Sequence, residues 1–154
     1  MEKTLVIVKP DALHRNLLGQ IISRFETKGL RLVGIKMNLM DSSMLEEHYR
    51  HLADEPFFAE IIAFMSSSPV VVTCWEGADS VATVRKLCGI TKAREAEPGT
   101  IRGDWAMSIQ MNLIHASDGV DAAKLEIARF FEQDELFSYT LHALPYLYTS
   151  RERD

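Results

Sequence analysis

The sequence predicts an α+β sandwich: a four-stranded antiparallel sheet covered by helices, with a long irregular loop before the last strand. Three observations carry this. Short β-branched or alternating apolar runs occur four times, at TLVIV, RLVGIKMNLM, PVVVTCW and NLIH. Segments with apolar residues at helical spacing lie between them, and the second run alternates as a strand with one covered face does. At 154 residues and 47% hydrophobic content, the chain can bury a core as a single domain, 1–154, without disulfide or metal staples.

TLVIV, residues 4–8, reads as a strand buried on both faces, ended by Lys9-Pro10. From His14 to Lys28 the residues Leu17, Leu18, Ile21, Ile22 and Phe25 recur at helical spacing, with Lys28 in the last turn and Gly29 as C-cap. In RLVGIKMNLM, Val33, Ile35, Met37 and Leu39 form the covered face of a second strand. Ser43 with Glu46 is a capping-box pair for a short helix. A further helix starts at Pro56 with Phe57, Ile61, Phe64 and Met65 on one stripe, and the two helices form a hairpin.

PVVVTCW, residues 69–75, is a buried third strand. DSVATVRKLCG follows as a helix with Asp79 or Ser80 as N-cap, Val81, Val84 and Leu87 on the buried stripe, and Gly89 at its end. Residues 90–112 hold Pro98, Gly99 and Gly103 with no sustained period, and a loop of that length in a compact domain marks function. NLIH is a short fourth strand. The last helix, VDAAKLEIARFF, repeats apolar residues at Val120, Leu125, Ile127, Ala128 and Phe131, with Asp118 as N-cap and Asp121 in the first turn. Residues 134–154 form an aromatic C-terminal extension that wraps the surface or a neighbouring subunit, its RERD tip frayed. The order β-α-β-α-α-β-α-loop-β-α is that of a ferredoxin-like βαββαβ sandwich.

A net charge of −5 argues against nucleic acid as the main partner, while leaving room for a small anion held by a few converging cations. Cys74 and Cys88 lie in apolar runs with no C-x-x-C, the pattern of buried thiols in a reducing compartment. Only five uncharged residues separate Lys3 from Lys9, too few for a signal h-region, and no stretch approaches membrane-spanning length. The expectation is a soluble, cytoplasmic protein with no membrane partner.

The chemistry-bearing candidates each have a plainer alternative. His115, in NLIHASD, is either a reactive group or a histidine where a strand ends. Lys9 follows a buried strand directly, where ligands of α/β proteins often sit, or it is simply solvated. Arg85 borders the buried stripe of its helix and Arg102 lies in the Gly-containing loop; they can fork onto phosphate or sit on the surface. One of Phe57 and Phe58 must point away from the core, available to stack on a base or on a neighbouring helix. Glu126 lies near the buried boundary of its helix and needs a partner. A ring N–H of His115 would suit it, fixing the tautomer and leaving the other nitrogen free as a nucleophile.

Taken together these residues resemble the nucleoside diphosphate kinase family. TLVIVKPDA is similar to its K-P-D-G opening, and EEHY with PFF, SSSPVVV, W-E-G, V-R-K-L-C-G, E-P-G-T-I-R-G-D and N-x-x-H-x-S-D follow in the family's order from about Thr4 to Phe131. The resemblance implies that His115 takes the γ-phosphoryl of a nucleoside triphosphate and passes it to a nucleoside diphosphate, in ping-pong covalent catalysis. It implies that Lys9, Tyr49, Arg85, Thr91, Arg102 and Asn112 contact phosphates and sugar hydroxyls. Phe57 would stack on the base with Ile61 and Ile109 lining the slot, and Ser117 and Glu126 would hold the histidine ring. Magnesium (Mg2+) would arrive with the nucleotide phosphates, with no protein metal site, and the chain would form a homo-oligomer, a hexamer in preference to a tetramer.

Several positions depart from that pattern. Ala12 and Ala116 stand where the family favours glycine, Lys92-Ala93 replaces Asn-Pro, and Gln110-Met111 replaces Gly-Arg. None removes a residue assigned to chemistry. A non-catalytic nucleotide sensor on the same scaffold would bind ADP without exchanging phosphate, and a ferredoxin-like regulatory domain would bind no nucleotide.

Overall fold

The computed structural model describes residues 1–153, and its sheet has the strand order β2-β3-β1-β4 with every pairing antiparallel. β1 (Glu2–Val8) runs between β3 (Val70–Gly77) and β4 (Ile114–Ala116), and β2 (Arg31–Asn38) is the opposite edge. Both central strands are apolar where both of their faces are covered, over Leu5–Val8 in β1 and Val70–Val72 in β3. Leu5, Ile7, Val72 and Cys74 point into one layer with Leu45, Met65 and Phe130, while Val6, Val8, Val71 and Trp75 point into the other with Ile21, Phe25, Val84 and Ile101.

The helix predicted over 14–28 is present from residue 18, and a separate short helix precedes it. α1 (Pro10–His14) and α2 (Leu18–Lys28) are separated at Asn16, whose φ of 56° breaks the helical hydrogen-bond run. α2 ends as expected at Gly29, which turns left-handed and returns its N–H to Glu26. Beyond α2, β2 buries Val33 but leaves Ile35, Met37 and Leu39 exposed, contrary to the expected covered face. A bulge between Leu32 and Gly34 is the cause: one extra residue shifts the two-residue side-chain alternation, so the three later apolar residues face outward.

The caps also differ from the local reading. α3 (Ser42–His48) is capped by Asp41, whose carboxylate accepts the Met44 N–H at 2.8 Å, and Ser43 lies inside the first turn. α4 (Phe58–Ser66) begins two residues after Pro56, so Phe57 precedes the helix and is exposed while Met65 is buried. Asp79 occupies the N-cap position of α5 (Ser80–Cys88) without capping it; the Val81 N–H donates instead to the Glu2 carboxylate at 2.7 Å, a partner from β1. α7 (Val120–Phe130) has Gly119 at its N-cap rather than Asp118. Its inner face is Ala123, Ile127 and Phe130, with Val120, Leu125 and Ala128 exposed.

The predicted loop 90–112 contains α6 (Ile101–Trp105), capped by the Thr100 hydroxyl, which accepts the Gly103 N–H at 3.0 Å. Gly103 is obligatory there, since a Cβ would lie 2.1 Å from the Glu97 carbonyl oxygen. The C-terminal segment follows the β2 side of the sheet. The Phe137 N–H donates to the Val33 carbonyl and the Tyr139 hydroxyl to the Leu32 carbonyl, and α8 (Leu144–Leu147) sets Leu147 over Gly29. Of the RERD tip, Arg151 and Glu152 lie in a short 3₁₀ turn capped by Thr149 rather than fraying, and Asp154 falls outside the described residues. No helix among the described residues is long and apolar enough to cross a membrane. Both cysteines are buried free thiols, which burial pushes up to about 12.

Candidate active site

The sheet delivers two adjacent strand ends to one place. β1 ends at Lys9, and β4, paired to it with Ile7 opposite His115, carries the histidine. α7 then returns along β1 and brings Glu126 to the His115 ring. His115 Nε2 lies 3.2 Å from both Glu126 oxygens, and the Ser117 hydroxyl donates to Oε2 at 2.6 Å while accepting the Leu5 N–H at 3.3 Å. Burial raises the Glu126 carboxyl, but hydrogen bonds from His115 and Ser117, with the nearby imidazoles of His115 and His48, outweigh it and bring it down to about 2. An ionised Glu126 can only accept, so Nε2 carries the proton and the lone pair is at Nδ1. No described residue hydrogen-bonds to Nδ1.

The other side of the ring is packed against His48, at 4.6 Å between centroids and 74° between planes, and against Tyr49, at 6.1 Å and 85°. Burial drives His48 down to about 3, with His115, Arg129 and His51 adding to the effect and Glu126 opposing it, so its imidazole is neutral. Arg129 donates to His48 Nδ1 at 3.3 Å and is itself held by Glu47 at 3.1 Å, which assigns the His48 proton to Nε2. His48, His115 and Glu126 are close enough for a cation, with ligand atoms within 4.8 Å. Yet neither Nε2 has a free lone pair: His115 donates to Glu126, and the His48 Nε2–H is buried without a hydrogen-bond partner, so the cluster does not offer the lone pairs of a metal cage. Tyr49 is buried and, through burial and the nearby Glu126, keeps its hydroxyl proton. Sequence reasoning missed His48 and Arg129; the only local signal was a histidine beside the Tyr49 candidate.

Lys9 donates to Asn112 Oδ1 at 2.7 Å and to the Gln110 carbonyl at 3.2 Å. Burial and the neighbouring Arg102 lower Lys9 to about 8 against the opposing pull of Asp11. Asn112 is 1% exposed, and its amide donates to the carbonyls of Thr91 and Ile109. Arg102 is not the free fork anticipated: it is buried, and donates to the carbonyls of Asn112, Gly89 and Ile114 at 3.3, 2.7 and 2.6 Å. Three of its five N–H groups are thereby committed to shaping the loop. Arg85 is exposed on α5 and lines a cleft of about 400 Å³ with Asp118 and Gly119.

Phe57, Ile61 and Ile109 lie elsewhere in the chain, just before α4, on α4 and in the loop before β4. Gln110 joins these two elements, its side-chain amide donating to the Glu60 carbonyl at 3.0 Å. Phe57 and Ile109 are 42% and 61% exposed, open to a flat apolar ligand. Among the departures, Ala12 and Ala116 have ordinary negative φ, one in α1 and one in β4, so neither position needs glycine. Ala93 is buried and Lys92 pairs with Glu95 on the surface. Nothing in the structure explains Met111, which is exposed. A larger cleft, about 570 Å³ between α2, Leu87 and Trp105, is remote from this chemistry; its Arg24 is engaged by Asp104 and the Gly99 carbonyl and lies over Trp105.

Known proteins match this chain over nearly its whole length. The family model described as nucleoside diphosphate kinase matches residues 2–136. A nucleoside diphosphate kinase of Parabacteroides distasonis is 53% identical over 152 residues, covering 99% of each chain. That of Microcystis aeruginosa is 47% identical over 147 residues, covering 96% of this chain and 99% of its own. Among solved structures, a halophilic nucleoside diphosphate kinase from Halobacterium salinarum in complex with CDP superposes with a TM-score of 0.93 at 46% identity, covering 96% of this chain and 98% of that one.

Proposed function

The chain belongs to the nucleoside diphosphate kinase family and is a phosphotransferase acting on nucleoside di- and triphosphates, and from that premise we propose that His115 is its nucleophile, working by a ping-pong mechanism. The observation that carries this is the His115–Glu126–Ser117 relay. With Nε2–H donated to Glu126, Nδ1 attacks the γ-phosphorus; the Nδ1–P bond forms as the bond to the bridging oxygen breaks, and the diphosphate leaves with that electron pair. In the second half-reaction a terminal oxygen of a different nucleoside diphosphate attacks the phosphohistidine, and the electron pair of the N–P bond returns to Nδ1. Glu126 stabilises the positive charge on the phosphorylated ring in between.

Lys9, Arg85 and Arg102 supply cations for the phosphates, Tyr49, Thr91 and Asn112 complete the phosphate and sugar contacts, and Phe57, Ile61 and Ile109 take the base. Stacking without base-edge hydrogen bonds makes binding indifferent to nucleobase identity. Among the described residues the cluster spaced for a cation is His48, His115 and Glu126, and Glu126 is spent on His115 and Ser117. That donor set fits magnesium carried on the substrate phosphates, where it offsets their charge, rather than magnesium held by the protein.

Incubation with γ-labelled ATP gives an acid-labile phosphoenzyme, and His115→Ala abolishes the label with the circular dichroism spectrum unchanged. Absence of label in the unsubstituted protein refutes the mechanism. The chain also acts as one domain, in the cytoplasm, and as a homo-oligomer, a hexamer in preference to a tetramer. Supporting assembly, the β2 edge exposes Ile35, Met37 and Leu39 in a row, and the tail 134–154 lies on the same side of the sheet. Light scattering gives the subunit number, and Met37→Glu lowers it.

A further inference from the structure

The segment that carries Asn112 and His115 is bent by an unusual turn. Leu113 is fully buried and has a φ of 76°, and the Ile114 N–H donates back to the Asn112 carbonyl at 3.0 Å. A residue with positive φ inside such a three-residue ring is a rare, strained γ-turn for a side chain that is not glycine. It persists only where its surroundings impose it.

Those surroundings come from the K-P-D segment at the end of β1. The Leu113 carbonyl accepts the Lys9 N–H at 2.9 Å, and the Leu113 N–H donates to Asp11 Oδ2 at 3.1 Å. The strained peptide is therefore gripped at both ends by residues two apart. Asp11 Oδ1 is buried with no hydrogen-bond partner, so the carboxylate is only half used as an acceptor. The charged groups facing Lys9 are Arg102 from α6 and Asp11 from α1, and they act on it in opposite senses. Asp11 is the acidic member of that set.

We infer that Asp11 is a positioning residue for phosphoryl transfer: its carboxylate oxygen pins the strained turn that sets Asn112 and His115. The inference rests on the phosphotransfer reading and adds to it a residue that touches neither the nucleotide nor the reacting nitrogen. Asparagine retains an oxygen for the Leu113 N–H, and alanine does not.

The test compares the unsubstituted protein with Asp11→Ala and Asp11→Asn in phosphate exchange between ATP and a nucleoside diphosphate at pH 6.5 and 8.5, with thermal unfolding recorded alongside. Asp11→Ala lowers kcat on the order of 10²-fold at both pH values, the effect of displacing a reacting group by about 1 Å. Asp11→Asn keeps kcat within about threefold of the unsubstituted protein at both pH values, because its amide oxygen still accepts the Leu113 N–H. A kcat in Asp11→Asn as low as in Asp11→Ala, or a kcat in Asp11→Ala within about threefold of the unsubstituted protein, overturns the inference. If Asp11→Ala does not fold, Asp11→Ser, whose oxygen falls one bond short of the Leu113 N–H, takes its place in the same comparison. Failure of the unsubstituted protein to form a phosphoenzyme would overturn the phosphohistidine reading instead, whereas a normal phosphoenzyme with indifferent Asp11 variants overturns only this inference.

Discussion

Replacing Glu126 with glutamine tests whether the histidine support is electrostatic. The substitution preserves volume, so it opens no cavity, and the amide oxygen can still accept the His115 Nε2–H. What it removes is a carboxylate brought from 4.5 to about 2 by His115 and Ser117 against the opposing effect of burial. At about 1.36 kcal/mol per unit, that depression corresponds to an upper bound of about 3 kcal/mol. Part of it needs a charged imidazole, so the share felt at pH 7 is about 1–2 kcal/mol. The pH dependence has a definite sign. A carboxylate whose folded value lies below its unfolded value stabilises fully above pH 4.5, and the stabilisation is lost as pH falls towards 2. Urea unfolding at fixed protein concentration therefore shows Glu126→Gln less stable than the unsubstituted chain at pH 7, with the gap closing between pH 4.5 and 2. A gap of constant size across that range would refute the electrostatic account and leave only shape.

Three further outcomes follow from the same geometry. Phe57→Ala raises KM for all nucleoside diphosphates by a similar factor, about tenfold, with kcat at saturation little changed, since base stacking is worth about 1–3 kcal/mol and does not read the base edge; unequal factors across bases in steady-state kinetics would count against the slot. Gly103→Ala forces a Cβ onto the Glu97 carbonyl oxygen and lowers stability by about 1–3 kcal/mol, seen as a fall of about 5 °C in Tm by calorimetry. Arg102→Ala strips donors from three carbonyls and lowers stability by about 3 kcal/mol, whereas Arg85→Ala raises KM with Tm unchanged, a contrast read by denaturation and kinetics on the same pair.

Most of the architecture is legible in the sequence because its signals are periodic and local. The central strands carry the apolar runs Leu5–Val8 and Val70–Val72, and α2 announces its end with Lys28 and Gly29. The misreadings occur where a distant residue replaces a local one. Glu2 caps α5 from 79 residues away, and nothing near Asp79 discloses it. The bulge in β2 inverts which face Ile35 and Met37 present, and alternation alone cannot register one inserted residue. At the site, the Glu126–His115 pairing follows from a carboxylate at a buried boundary needing a donor. The Arg129–His48 buttress depends on a tertiary contact between α7 and α3. The turn at Leu113 is invisible because leucine is the wrong residue to advertise a positive φ.

The hydrogen-bond inventory reorders the roles of the polar residues. Asn112 has both amide N–H groups bonded to carbonyls, so any further contact must fall on its oxygen, which already accepts from Lys9. Lys9 has three donors with two committed, and Arg102 has five with three committed. Arg85, exposed and without an ion-pair or hydrogen-bond partner among the described residues, has its whole guanidinium uncommitted. Lys9, Asn112 and Arg102 thus hold the strained loop in place, and under the proposed function would bind with their remaining capacity. Committing them to the backbone in advance means that little ordering remains to be done when the phosphates dock, which is where preorganised sites gain their advantage over flexible ones. It also follows that a substitution at Lys9, Asn112 or Arg102 alters loop geometry and binding together, so only Arg85 reports phosphate affinity by itself.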